Sequence, residues 1–344
     1  MNIQKQIHLL FILILTLGVF NIQAQDSTEF KPSGKPILRG FINYNTGFGE
    51  VNDKRGFDIE RAFLGYEYNF AKNFSARVVI DGASGKSSSG ALEVYLRNVL
   101  VTWKDKGFTV NLGLTGLMQY SLQEKYWMHR YILRSFQDEY RMAPSVDMGT
   151  TISYTFNPYI SADISLTNGE GYKKVKQDNS MRYAAGISVY PIKNLLLRVY
   201  ADIYNDDGNQ RDALPDEASE ANYKDQQTLA LFVGYQDKNV SIGAEYNKVY
   251  NKGFIDKKDY FGYSFYSSVK VAPKWRAFGR YDLMDSTRPD NFTSPWNKYD
   301  GQFFMIGAEF QPFKHVKIAP NFRNINRDRE KSEQYLFLNL EINL

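Results

Sequence analysis

Arginine recurs at positions that would share one face of an extended chain. Arg39, Arg61, Arg77 and Arg97 each stand in a segment where polar and apolar residues alternate. Arg182, Arg198, Arg276, Arg280 and Arg323 follow the same rule, as do Lys270 and Lys317. A guanidinium stays charged and offers paired donors to an oxyanion, so a row of them would draw anions. The same faces hold Glu67, Asp81, Glu93, Asp163, Asp202, Glu245, Asp282, Glu309 and Glu341. Two readings therefore stand: an anion-selecting lining, or a mixed lining whose bases and acids pair. Eight of the bases fall on the first four and the thirteenth to fifteenth alternating segments, which would put a basic wall where a closed sheet meets itself.

Other chemistry finds little footing. Beyond the leader described below, the chain has only His129 and His315, neither with an acid or nucleophile at a telling spacing, so no catalytic residue is expected. With no cysteine there is no disulfide and no thiolate metal site, and no metal or cofactor is expected. Asp206, Asp207, Asn209 and Asp212 in "NDDGNQRD" offer oxygen ligands but miss the spacing of a calcium loop, and read as a solvated loop. A net charge of +4 over 344 residues gives no reason to expect a nucleic-acid partner.

The elements that must position these charges are strands. Period-two alternation gives a strand two faces in different surroundings. In "AFLGYEYNF" Ala62, Leu64, Tyr66, Tyr68 and Phe70 share a face, and in "NFSARVVID" Phe74, Ala76, Val78 and Ile80 oppose Ser75, Arg77 and Asp81. The closing "YLFLNLEINL" sets Leu336, Leu338, Leu340, Ile342 and Leu344 against mostly polar neighbours. The pattern fits about sixteen times. Every other connection is tight, at 71–73, 104–107, 157–158, 192–194, 237–239, 273–274 and 313–315. Those between are long and polar, near 48–56, 82–90, 118–145, 168–180, 205–224, 251–259, 285–300 and 326–332. Phe70, Phe74, Trp103, Phe108, Phe156, Tyr159, Trp275 and Phe313 gather beside the tight turns, as an interfacial girdle would.

These regularities predict an all-β chain: a 16-stranded antiparallel transmembrane β-barrel with short periplasmic turns and long external loops. Residues 1–24, with Lys5 ahead of an apolar run from Leu9 to Phe20, read as a signal peptide. Its removal leaves a net charge of +3. Residues 25–35 would precede the barrel, and 36–344 would form it. The last strand should pair with "PILRGFINYN", because a membrane strand cannot leave an edge in lipid.

A wet lumen with charges on nearly every strand predicts a passive pore in the outer membrane of a Gram-negative bacterium. Lipid, lipopolysaccharide, the barrel-assembly machinery and small hydrophilic solutes would be its partners. A non-conducting barrel serving as receptor, adhesin or assembly platform is the alternative. The expected pore lining is Arg39, Arg61, Glu67, Arg77, Asp81, Glu93, Arg97, Arg198, Arg276, Arg280, Lys317 and Arg323. In the third long loop, 118–145, Leu122, Tyr126, His129, Leu133, Phe136 and Tyr140 recur at helical spacing. They predict an amphipathic helix folded into the lumen as a constriction, with Lys125, His129, Arg130, Arg134 and Arg141 belonging to it and its bases facing solute.

The stretch "FDIERAFLGYEYNFAKNFSARVVIDG", with its Arg-led strand, short turn and second strand, resembles an early hairpin of the phosphate-selective porin O/P family. The resemblance extends to the layout of the whole chain after the leader. It implies a homotrimeric channel for small anions or general solutes, phosphate among them.

Overall fold

The computed structural model describes residues 30–83, 91–212, 222–287, 297–328 and 330–344. The expected leader and residues 25–29 lie outside these, as do stretches of four connecting loops. Two units are distinguished, Met1–Pro32 and Ser33–Leu344, and the second is the barrel.

Sixteen strands run in chain order. The first eight are β1 (Ser33–Gly49), β2 (Arg55–Ala71), β3 (Phe74–Ala83), β4 (Glu93–Asp105), β5 (Phe108–Gly116), β6 (Val146–Asn157), β7 (Ile160–Thr167) and β8 (Arg182–Val189). The others are β9 (Leu195–Tyr204), β10 (Gln226–Gln236), β11 (Val240–Tyr250), β12 (Tyr260–Ala272), β13 (Trp275–Ser286), β14 (Gly301–Phe313), β15 (Val316–Arg327) and β16 (Glu333–Asn343). Each pairs with its sequence neighbours, and β1 pairs antiparallel with β16, so the sheet closes. Residues 33–35, expected ahead of the barrel, are the first residues of β1. All seven tight connections and all eight long ones fall where the sequence puts them.

Closure gives the last alternating strand its partner. Gly40 faces Ile342, Ile42 faces Leu340 and Tyr44 faces Leu338 across the seam. The last strand thereby pairs along both edges, with β1 and with β15, as an apolar solvent demands. The outer face bears Leu64, Val78, Leu112, Phe156, Val199 and Leu338, all exposed, far more continuous apolar surface than a protein meeting water tolerates. Beside the tight turns, Phe70, Phe108, Phe156, Tyr159, Trp275 and Phe313 are exposed on this outer surface.

The core is inside the barrel, and it is built by the third loop. Its first helix, α1 (Met118–Trp127), ends where Met128 takes a left-handed conformation at φ 64°. A second, α2, spans only Phe136–Glu139. The single amphipathic helix expected from the spacing is thus two short pieces joined by a turn. Of the spaced residues Tyr126, His129, Leu133, Phe136 and Tyr140 are buried and Leu122 is half-buried, but Trp127, Tyr131, Ile132 and Met142, off that spacing, are buried as well. The wall they pack against is unexpectedly apolar. Trp127, at 1% exposure, packs with Tyr126, Tyr131, Ile132 and Leu133 against Phe232, Tyr266, Phe278, Phe303 and Met305. Phe136, Tyr140 and Met142 form a second cluster with Val249, Tyr260 and Met284.

Candidate functional site

The loop is fastened to β9–β15 by buried polar bonds as well as packing. His129 is fully buried: Nδ1–H donates to Glu309 Oε2 at 3.0 Å and Nε2 accepts from Ser268 Oγ at 2.9 Å. Burial pushes the imidazole below its ordinary range against the pull of Glu309, which fits a neutral ring with its proton on Nδ1. Tyr131 Oη also donates to Glu309, at 3.0 Å. Gln123 on α1 donates to Glu245, and Gln137 on α2 donates to Asn247 on the same strand. Arg323 Nη2 donates to the Ile132 carbonyl at 3.0 Å, and Arg280 to that of Arg134.

Acid, histidine and serine thus stand in the order of a hydrolytic triad, which sequence spacing did not disclose. Their surroundings are wrong for one. Ser268 is 1% exposed, and its Oγ also accepts from Arg276 Nε at 2.9 Å. A nucleophile needs access to substrate and donors for a developing oxyanion. Here the three residues pin the loop.

Several expected pore residues are therefore on the lumen face but beneath the loop. Arg198 is 3% exposed, bonded to Asp163 and, through Nε, to Gln119 of α1 at 2.9 Å. Arg280 is 2% exposed and held by Asp282. Arg323 is buried, with its guanidinium 3.6 Å from the centroid of the Phe337 ring. Arg276 and Lys317 are only half-buried, the latter 3.6 Å from Glu309 and 3.4 Å from Glu341. These bases are engaged by partners on the wall of β9–β15 or in the loop, and Arg323 also lines the cavity beside β14–β16.

Space of about 640 Å³ remains between the loop and β14–β16, lined by Leu133, Tyr140, Gln302, Arg323 and Tyr335 among others, and further space lies on the opposite side, between the loop and β1–β5. The wall there holds Arg39 on Glu341, at 2.6 Å, and Arg77 on Glu67, with Nε donating at 2.8 Å. Arg61 pairs closely with Asp81, while Arg97 lies 3.8 Å from the same carboxylate. Glu93 accepts from the Tyr95 hydroxyl. Tyr172, from the loop after β7, completes this group: it donates to Asp81 at 2.8 Å and accepts from Arg61 at 2.7 Å. That loop is anchored by Asp147, which accepts from the amides of Gly169 at 2.6 Å and Gly171 at 3.2 Å. Gly169 has φ 104°, and a Cβ there would meet the Tyr204 ring at 2.2 Å.

The loop's own charges face this passage unevenly. Arg130 is buried, bonded to Glu124 at 2.9 Å and Asp138 at 3.3 Å, and Arg134 lies 3.2 Å from Glu139. Lys125 and Arg141 are exposed, and neither has an acidic partner among the described residues. Of the four bases expected to face solute, Arg130, Arg134 and Arg141 line cavities beside the loop, and Arg130 and Arg134 are paired with the loop's own acids.

Three cavities follow one another along the passage. One of about 520 Å³ lies toward the long loops and is lined by Arg61, Arg134, Asp138, Arg141, Tyr172 and Lys252, among others. It shares Ser145 with a second of about 500 Å³ that reaches Lys104 and Thr109 beside a tight turn. A third, of about 340 Å³, shares Arg77, Arg97, Asn98 and Glu124 with the second.

Salmonella typhi OmpF, solved with daunomycin, is similar in structure, with TM-score 0.69 at 10% identity over 90% of this chain and 97% of that one. The chain has the porin fold. A variant of the porin of Rh. blastica gives TM-score 0.57 at 11% identity over 91% and 100% of the two chains. The outer membrane channel DcaP of Acinetobacter baumannii gives 0.60 at 13% over 94% and 100%. No family model matches the sequence, and no curated protein matches it. The porin fold agrees with the barrel that the resemblance to the phosphate-selective O/P family implies.

Proposed function

We propose that this chain is a passive diffusion channel of the Gram-negative outer membrane, passing small hydrophilic solutes with a weak preference for anions. The observation that carries the reading is the chain of polar cavities beside the loop, leading from the long-loop end to the tight turns. In this reading residues 1–24 are removed on export, the barrel-assembly machinery inserts the barrel among lipid and lipopolysaccharide, and the channel works as a homotrimer.

The preference is weak because most wall charges cancel locally. Arg61 and Arg97 share Asp81, which leaves one base in excess there, and Lys125 and Arg141 add uncompensated charge on the loop side. In a narrow, low-dielectric passage a small surplus raises the local anion concentration without excluding cations. Strict phosphate selectivity would need a row of free bases, and the pairing argues against it.

In a salt gradient the reversal potential should therefore have the anion sign. Replacing Lys125, Arg141 and Arg97 together by Gln should move it toward cations while conductance persists, since none of the three leaves a buried carboxylate stranded. A wild-type channel that prefers cations, or a triple variant with an unmoved potential, would count against the preference.

A further inference from the structure

The cavity at the tight-turn end has a composition the wall as a whole does not. Lys35, Arg39, Arg77, Arg97 and Arg130 line it, with Glu124 as the one acidic side chain among its lining residues. Of the carboxylates that pair with these bases, Glu341, Glu67, Asp81 and Asp138 do not line it, whereas Glu124, 2.9 Å from Arg130, does. The cavity therefore meets the cationic side of every pair except Arg130–Glu124, so basic side chains outnumber acidic ones in its lining five to one.

Two donors are left over. Arg97 Nη1 and Arg130 Nη1 are buried and make no hydrogen bond among the described residues, the former standing 3.8 Å from Asp81, too far to bond it. Arg130 is 6% exposed, so its guanidinium is held away from bulk water with a charged donor unused. Such a donor is costly to leave unmade, and a carboxylate, with two acceptor oxygens, is suited to two of them.

Apart from Asn98 and Asn343, the rest of the lining is apolar. Ile37 faces the lumen from β1, and Phe63 meets Phe41 edge to face at 5.7 Å and 83°. The guanidinium of Arg97 sits 5.2 Å from the Phe63 ring centroid, so charge and apolar floor adjoin. An inorganic oxyanion would use the donors and leave the floor idle. An anion with an apolar body would use both.

We propose that this cavity is a binding subsite for organic carboxylates with a small apolar body, such as a single-ring aromatic acid. The inference rests on the channel reading for its purpose, but its geometry does not depend on conduction. Titration calorimetry on the full barrel in detergent tests it with sodium benzoate, acetate and inorganic phosphate. Benzoate should bind about tenfold or more tightly than either of the others, the ring adding buried apolar area. Arg97→Gln should weaken benzoate and acetate alike, by about tenfold for a lost charge-assisted bond. Ile37→Asn should narrow the gap between benzoate and acetate and leave acetate unchanged. Benzoate binding no tighter than acetate or phosphate, or full affinity in Arg97→Gln, would overturn the subsite. Channel current is a separate readout: a barrel that binds benzoate but passes no ions fails the channel reading and keeps the subsite.

Discussion

A barrel lacking residues 123–141, with Leu122 joined to Met142 by a short Gly-Ser bridge, is expected to conduct severalfold more current than the intact chain. The loop packs against β9–β15 and leaves solute the side against β1–β5 and a space of about 640 Å³ beside β14–β16. Its removal should merge the two, and larger sugars should then enter proteoliposomes in swelling assays. The variant should also melt at lower temperature. Phe232, Tyr266, Phe278 and Phe303 would meet water, and Glu309 and Arg323 would lose their loop partners. Heat-modifiable migration on gels separates folded from unfolded barrel. Unchanged conductance in a folded deletion variant would remove the loop from its role as constriction.

Leu338→Arg should be the most damaging point change on the outer face. Leu338 is 48% exposed, midway along β16, and faces outward opposite Tyr44 at the seam. A cation at the lipid-facing midplane of a barrel costs about 2–4 kcal/mol. At the closing strand the penalty also falls on the pairing that completes the sheet. Yield in the outer-membrane fraction and the share of heat-modifiable band should both drop sharply. Asn45→Arg, on the lumen face of the neighbouring strand β1, half-buried and lining an open cavity, should be tolerated better, because alternation turns it away from lipid. Equal yields for the two variants would contradict the assignment of faces.

Much of the barrel was legible in the sequence because its environment is written at period two. Lipid on one side and water on the other leave a pattern each strand repeats alone, so strand count and the order of turns and loops need no knowledge of distant contacts. The site was less legible because it depends on which part of the wall the loop covers. Phe41 between Arg39 and Asn43, and Phe278 between Arg276 and Arg280, stand on the polar side of their strands. Such parity breaks mark the loop's seat, and read together they would have pointed to the covered wall. The partners of His129 gave no such signal: Ser268 and Glu309 lie on β12 and β14, and only closure of the barrel brings them beside the loop. Arg130 likewise bonds Glu124 and Asp138 only because the chain turns at Met128, a break that helical spacing conceals.

The loop's partners also set an order of events. Its bonds to Glu309 and Arg323 join residues 180 and 191 positions apart, and each partner comes later in the chain than the loop itself. Contacts of such separation form late, since the intervening chain must first be ordered. While β12–β15 are still unpaired, Trp127, Tyr131 and Phe136 have nowhere to bury and must be shielded from aggregation by other means. The barrel is thus expected to close as a wide tube and to narrow only afterwards. During refolding into detergent, the fluorescence of Trp127, isolated by replacing the other tryptophans with Phe, should shift after the heat-modifiable band has appeared. A shift that precedes the band would mean that the loop seats first and the strands assemble around it.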